Sequence, residues 1–365
     1  MARSCRETDI RLSCDVFGIM KTPAVGLAAA QMLEFERTGH VRTRKLLPGA
    51  ATSALSKEVD RLYTERESEA LRQKVRVLLG DDRLARAEHK TEASPHVLRR
   101  ILREELPEGA VPFMQLFNLW RTSPMVHELW RSPALAGTAA SLLGVERVRL
   151  YQDSYFLKRP GDGPTHWHSD LSMAPLDTNS FVTCWLPLHD VAAPDDGGSS
   201  LVFASGSHRD VALNFWHGDP RRPVDASTRG YPLRDGGALR AGDATWHHGW
   251  VLHSAAPNMG DVPRRAVAVS FYADGASRLQ GALRSQDDED AESCVAWLGD
   301  VRPGRAARHR WLPLVWPPDA TGGGSARGSV GSCAEASTRA RRSVGGAGGR
   351  GGRGGAGDGK RGRGG

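Results

Sequence analysis

The chain has no apolar run near the roughly 18 to 20 residues that a membrane-crossing helix needs, so no membrane partner is expected. Cysteine is scarce, with five residues at Cys5, Cys14, Cys184, Cys294 and Cys333. They are odd in number, scattered, and form no C-x-x-C pair, which argues against a disulfide framework and a thiolate zinc site. A reducing compartment, the cytoplasm, is the resulting expectation. Near the start, Arg3, Arg6 and Arg11 are interleaved with Glu7, Asp9 and Asp15 and no apolar core follows, so no targeting signal is read there. Internal repeats are also missing.

The net charge of +7 is unevenly spread. Nine of the 49 basic residues and two of the 42 acidic ones follow Asp319, so the remainder balances at 40 of each. The body is therefore electrically neutral, which argues against nucleic acid as a partner of the folded domain. From about Thr321 the chain is Gly, Ser, Ala and Arg with almost no apolar side chains, too little to offset the entropy of ordering it. Residues 319–365 are expected to be a disordered tail. Its GGRGG pieces suit at most weak RNA contact through charge and arginine stacking, and a plain solvated extension is the alternative.

After an N-terminal extension (1–23), one domain is expected over 24–318. Residues 24–145 read as helical: AVGLAAAQMLEFERTG (24–39) has helical apolar spacing and a stop at Gly39. A short strand, HVRTRKLL, comes next, then a long amphipathic helix from about Ala51 to Ala70 and helices near 96–105 and 123–143. From Glu146 the pattern turns to short β-rich runs between Gly, Pro, Asp and Asn clusters: 148–158, 181–188, 199–204, 244–253 and 265–273. Helices first and strands second imply an α+β chain with a mainly β core over 146–275. The expected core is a double-stranded β-helix (jelly roll, cupin-like) with flanking N-terminal helices.

The densest chemistry is Thr165-His166-Trp167-His168-Ser169-Asp170. On an extended segment His168 and Asp170 share a face and can grip one ion. An imidazole and a carboxylate are two-thirds of a 2-His-1-carboxylate facial triad, although a lone H-x-D is also common in surface turns. The third ligand could be His189, His208, His217, His247, His248 or His253. His253 is preferred because it ends a predicted strand before a turn. Arg264 follows 11 residues later on the next predicted strand, where a hairpin would bring it into the same cavity as a bidentate partner for a carboxylate. His247 and His248 point to opposite faces, so one is packed or hydrogen-bonded and the other can support the ligands. Arg265 alternates away from Arg264.

HWHSD, VTCWLPLHDV, GGSSLVFASGSH, GDATWHHGWVLHSAAPN and PRRAVAVSFYAD, in this order, resemble the phytanoyl-CoA dioxygenase family over roughly residues 27–275. The resemblance implies an enzyme, a 2-oxoglutarate-dependent dioxygenase that takes Fe(II), 2-oxoglutarate and O2 and releases succinate and CO2. Fe(II) would be held by His168, Asp170 and His253, and the co-substrate carboxylate by Arg264. Trp185 matches the tryptophan of the co-substrate pocket, with a core aromatic as the alternative. Lys158 matches a basic position near the site, with a solvated strand-end lysine as the alternative. Gln115 matches a polar co-substrate contact.

The sequence departs from the family at Ala255, where many members carry Ser or Thr two residues after the distal histidine. One hydrogen bond is therefore missing, or is supplied elsewhere by Thr165 or Thr183. Asp170 is present, whereas halogenating members have a small residue there, so hydroxylation of a small organic substrate, acyl or anionic, is favoured. The insertion Gly206–Gly237 carries Arg209, Arg221, Arg222, Arg229 and Arg234 with Trp216 and Tyr231. It reads as a lid for an anionic or acyl-carrier-linked substrate, or as a solvated loop whose arginines pair with Asp210, Asp219, Asp225 and Asp235. A monomer or homodimer is expected. The competing function is a non-catalytic, cupin-like metal or small-molecule binding protein.

Overall fold

The computed structural model describes residues 26–89, 94–107, 113–210, 230–280, 294 and 296–318. The N-terminal extension, the glycine- and arginine-rich tail, and Trp216, Arg221, Arg222 and Arg229 lie outside the described residues.

Helix α1 (Ala29–Thr38) stops where the apolar spacing ends. Gly39 takes φ +80 there and its N–H bonds the Phe35 carbonyl, a left-handed cap that glycine adopts without strain. Strand β1 (His40–Thr43) follows. Helix α2 (Gly49–Leu79) is longer than its sequence pattern suggests and buries Leu55, Val59, Leu62, Leu71 and Val75 along one stripe. Each such side chain contributes about 1.5 to 3 kcal/mol when fully buried, so this stripe fastens the helix to the sheet beneath it. Helices α3 (Asp81–His89) and α4 (Pro95–Glu105) pack on α2, and α4 starts at Ser94, whose side chain accepts from the Val97 N–H. The stretch expected as one helix over 123–143 is broken into α5 (Pro124–Trp130), a π turn (Pro133–Gly137) and α6 (Thr138–Leu143). Pro133 lacks the N–H that would continue α5.

The strands are β2 (Met114–Phe117), β3 (Val148–Lys158), β4 (Thr165–His168), β5 (Leu176–Asp177), β6 (Phe181–Pro187) and β7 (Leu201–Ala204). After them come β8 (Leu233–Asp235), β9 (Ala244–His248), β10 (His253–Ala255), β11 (Arg264–Ala273), β12 (Ser277–Arg278) and β13 (Leu314–Trp316). A large antiparallel sheet runs β1-β9-β6-β11-β3-β13, with β2 also pairing β3; a smaller sheet runs β4-β10-β7-β8. This is the expected jelly roll. Alternation on β11 separates its two faces: Val267, Val269 and Phe271 join the core under the helices, while Ala266 and Ala268 join the interior with Trp185, Leu201 and Phe203.

Two expectations need correction. The run 244–253 is not one strand. After His248 the chain turns through Gly249–Leu252 and re-enters as β10 in the other sheet. Consequently β10 and β11 do not form a hairpin: β11 pairs with β3 and β6, and β10 with β4 and β7. Arg264 reaches the interior by a change of sheet.

Candidate active site

The register of the small sheet assembles the first cluster. His168 on β4 and Phe203 on β7 both lie opposite His253 on β10, so the two imidazoles stand side by side with ring centroids 4.1 Å apart. Asp170 follows β4 by two residues. Its Oδ1 lies 3.6 Å from His168 Nε2 and 3.5 Å from His253 Nε2. One donor atom from each of the three residues falls within 4.8 Å of the others. Donors about 2.1 Å from an ion and at right angles to one another are separated by about 3 Å, so a small contraction would let them share one cation.

Hydrogen bonds set which nitrogen is free. His168 Nδ1 donates to the His166 carbonyl (2.8 Å) and His253 Nδ1 to the Val251 carbonyl (3.2 Å). Each Nε2 lone pair is thereby left facing the carboxylate, the arrangement that orients metal-bound imidazoles. Burial alone would raise the Asp170 carboxyl. His253, the hydrogen bond from His247 and His168 outweigh burial and hold it far below the usual carboxylate range. Burial, then His168 and His247, push His253 well below an ordinary imidazole, so it is neutral. Two imidazole Nε2 atoms and an ionised carboxylate form a donor set that suits a divalent first-row metal.

The large sheet supports this cluster from across the barrel. His247, Thr183 and Ser270 lie in register on β9, β6 and β11. Thr183 Oγ1 donates to Asp170 Oδ2 (2.6 Å), His247 Nε2 donates to the same oxygen (3.0 Å), and Ser270 meets Thr183 at 2.9 Å. Of the adjacent histidine pair, His247 is the supporting member. His248 accepts the Trp250 N–H and its ring packs against His208.

A second group lies along β3 and β11, where Arg264 and Lys158 are directly paired. Both are buried. Arg264 Nη1 donates to the Ser199 carbonyl (2.7 Å), its guanidinium lies 5.5 Å from the Trp185 ring, and its Nε is buried without a partner. Lys158 Nζ donates to the Ala256 carbonyl (2.9 Å) and to Thr165 Oγ1 (3.3 Å). Burial first, then Arg264, lowers Lys158 to about 7, and burial lowers Arg264 to about 10. Among the described residues neither cation has an ion pair. Buried charges without a counter-charge cost several kcal/mol each, which an anionic ligand would offset.

The structure thus gathers His168, Asp170 and His253 into one cluster, and Arg264, Lys158, Trp185 and Thr165 into another. Thr165 is opposite Ala255 in the β4–β10 register. Thr183 lies on the Asp170 side. Gln115 is opposite Phe156 on β3 and lines a separate depression with Arg66 and Asn118. Arg265 faces out and pairs with Asp60 at 2.5 Å. Ser270 carried no signal in the sequence, because a lone serine in an apolar strand has no motif around it.

Comparison with known proteins agrees with this architecture. The model of the family described as phytanoyl-CoA dioxygenase (PhyH) matches residues 35–266. The chain belongs to that family. A curated relative from Stutzerimonas stutzeri, described as a probable alpha-ketoglutarate-dependent hypophosphite dioxygenase, is 25% identical over 175 residues. The match covers 45% of this chain and 58% of that relative's length. The fold is similar to the non-haem alpha-ketoglutarate-dependent carbocyclase SnoK from nogalamycin biosynthesis, with TM-score 0.58, 20% identity and coverage of 80% and 98% of the two chains. It is also similar to the epimerase SnoN of the same biosynthesis, with TM-score 0.52, 21% identity and coverage of 78% and 97%.

Proposed function

We propose that this chain is an Fe(II)- and 2-oxoglutarate-dependent dioxygenase that hydroxylates a small organic substrate. His168, Asp170 and His253 are its metal ligands. Arg264 and Lys158, with Trp185 alongside, bind the co-substrate carboxylate. The observation that carries the proposal is the convergence of two imidazole Nε2 atoms on one carboxylate oxygen, at 3.5 and 3.6 Å, inside a jelly roll. When bound, the iron and 2-oxoglutarate supply the oxidising chemistry, with succinate and CO2 as the accompanying products.

The chain's own residues have separate tasks. Backbone carbonyls fix the tautomers of His168 and His253. Thr183 and His247 immobilise one oxygen of Asp170, so the other is presented to the ion in a fixed direction. Arg264 orients the far carboxylate of the co-substrate, and Trp185 walls that pocket and excludes water. Thr165, standing opposite Ala255 and beside Lys158, supplies the hydroxyl that Ala255 cannot. Thr183 is already committed to Asp170. Gln115 is the most peripheral of the proposed co-substrate contacts.

The substrate is argued to be anionic. The curated relative is described as acting on hypophosphite, an oxyanion, and Arg37, Arg42, Arg209 and Arg234 line a cavity that includes Phe203, the residue opposite His253. Iron-dependent conversion of 2-oxoglutarate to succinate tests the activity. Turnover in the wild type that is lost in His168→Ala supports it. Metal binding without turnover would support the non-catalytic cupin-like alternative.

A further inference from the structure

On the far side of Phe203 from the ligands is a cavity of about 670 Å³ between the free edges of the two sheets. Its floor is the ring of His40 stacked on Phe203, centroids 4.5 Å apart and 11° from parallel. Ser205 holds His40 from the side, with Oγ 2.7 Å from Nε2. Arg37, Arg209 and Arg234 stand in its walls, and among the described residues none of the three has an ion pair. A fourth arginine, Arg42, is committed to Asp243 and the Ala238 carbonyl. Two acids, Glu34 and Asp235, also line the cavity. Asp210, the acid next to Arg209, is engaged by the Tyr231 hydroxyl. Among the described residues, three guanidinium groups without an ion pair stand against two carboxylates, which gives this lining a cationic excess.

Register ties this pocket to the ligands. Arg234 lies opposite Phe203, Phe203 opposite His253, and His253 opposite His168, one row across the small sheet. Opposed residues share a face, so Arg234 lies at the solvent-exposed end of the row that holds the two imidazoles. Two strand spacings of about 4.8 Å put it about 10 Å from His253 along that row. The Phe203 ring bridges the interval, 6.2 Å from His253 and 5.6 Å from His247. His40 carries no charge of its own: burial, followed by His247, His208 and Arg234, lowers it to about 4. The stacked rings therefore carry no charge, and the arginines supply it.

We propose that this cavity receives the acidic group of the substrate, a carboxylate or phosphate-type oxyanion, held by Arg37, Arg209 and Arg234, with the His40–Phe203 pair facing the metal ligands. This deepens the proposed function, and rests on it for the word substrate. The substrate is then a small acid whose reacting carbon lies several bonds from its charge. Guanidinium forks match the planar or tetrahedral oxygens of such groups.

The test uses the full chain, anaerobic, with Fe(II) and saturating 2-oxoglutarate so that the Arg264–Lys158 pocket is filled. Inorganic phosphate, and acetate in a parallel series, are titrated by calorimetry while the metal-to-ligand absorption band is recorded. Saturable binding that weakens at least tenfold in Arg234→Ala and in Arg37→Ala, with a band that phosphate shifts in the wild type and not in Arg234→Ala, is expected. Equal affinity in wild type and both variants would overturn the proposal. Anion binding that depends on Arg234 but leaves the band unmoved would overturn the assignment to substrate. A wild type with no band at all would instead remove the oxygenase reading, a failure this design keeps separate from loss of the anion site.

Discussion

His247 Nε2 lies 3.0 Å from Oδ2 of Asp170, on the opposite oxygen from the one that faces His168 and His253. With Thr183 on that same Oδ2 at 2.6 Å, the carboxylate is held by the large sheet while it offers its free oxygen to ligands from the small one. Both sheets contribute to the proposed metal position, joined by these hydrogen bonds.

The first prediction follows from this support. His247→Ala and Thr183→Val should each weaken Fe(II) binding by about 10- to 100-fold, the usual effect of removing a partner behind a metal ligand. Anaerobic metal titration measures it. Affinities unchanged from the wild type would show that Oδ2 is positioned by other means.

Arg264→Ala should raise the dissociation constant of 2-oxoglutarate by about 100-fold, on the order of 3 kcal/mol, because it removes one partner of a buried charge pair. Iron affinity measured without co-substrate should stay within about twofold, since Arg264 belongs to the other cluster. Loss of both affinities together would point to misfolding instead.

Lys158 adds a pH dependence. Burial and Arg264 lower it to about 7, and a bound carboxylate raises it again. Below pH 7 the lysine is charged with or without ligand, so affinity is level. Above pH 7 binding must take up a proton, and affinity for 2-oxoglutarate should fall by up to about tenfold per pH unit. Lys158→Met should bind more weakly and without this slope. A slope that persists in the variant would assign it to another group.

Gly249 sits in the turn that carries the chain from one sheet to the other. Its carbonyl accepts the Leu171 N–H (2.9 Å) and its N–H bonds the Phe181 carbonyl (2.8 Å). An added Cβ would lie 2.9 Å from the Cβ atoms of both Leu171 and Phe181, contacts no flexible side chain can relieve. Gly249→Ala should therefore cost about 1 to 3 kcal/mol in urea unfolding and loosen metal binding by displacing Asp170, the neighbour of Leu171. Wild-type stability with wild-type metal affinity would contradict this.

Asp153 is fully buried and accepts from the Trp130 indole (2.6 Å) and the Trp120 N–H (3.1 Å). Burial, only partly offset by these hydrogen bonds, raises it to about 6. A folded-state value above the unfolded one means the folded state takes up the proton, so this stabilisation is complete below about pH 4 and lost as pH rises through 6. Asp153→Asn, neutral throughout, should gain about 2 to 3 kcal/mol on wild type between those limits. Unfolding midpoints at pH 4 and pH 7.5 measure the gap, and a constant gap would contradict it.

Much of this architecture was legible in residue order because its signals are local. Gly39 announces the end of α1, and the β-branched and aromatic runs announce β3, β6 and β11. His168 and Asp170 are two residues apart, so their pairing was legible, although Asp170 stands just past the end of β4 at the start of a short 3-10 turn and not on the strand. His253 could be chosen from six histidines only by its place before a turn. The route to Arg264 was misread, because Gly249–Leu252 is apolar enough to continue a strand and only Gly249 marks the turn. Strand pairing between sheets depends on contacts distant in sequence, which periodicity does not encode. The same reason hid Thr183 and Ser270 behind Asp170, and kept His40, Phe203 and Arg234 from being seen as neighbours.

The most direct measurement is an anaerobic titration of the full chain with Fe(II) and 2-oxoglutarate, following visible absorption. A saturable metal-to-ligand band at one iron per chain, absent from His168→Ala and Asp170→Ala and reached only at higher co-substrate concentration in Arg264→Ala, is predicted. A wild type that binds neither iron nor 2-oxoglutarate, or whose band survives loss of Asp170, would contradict the account.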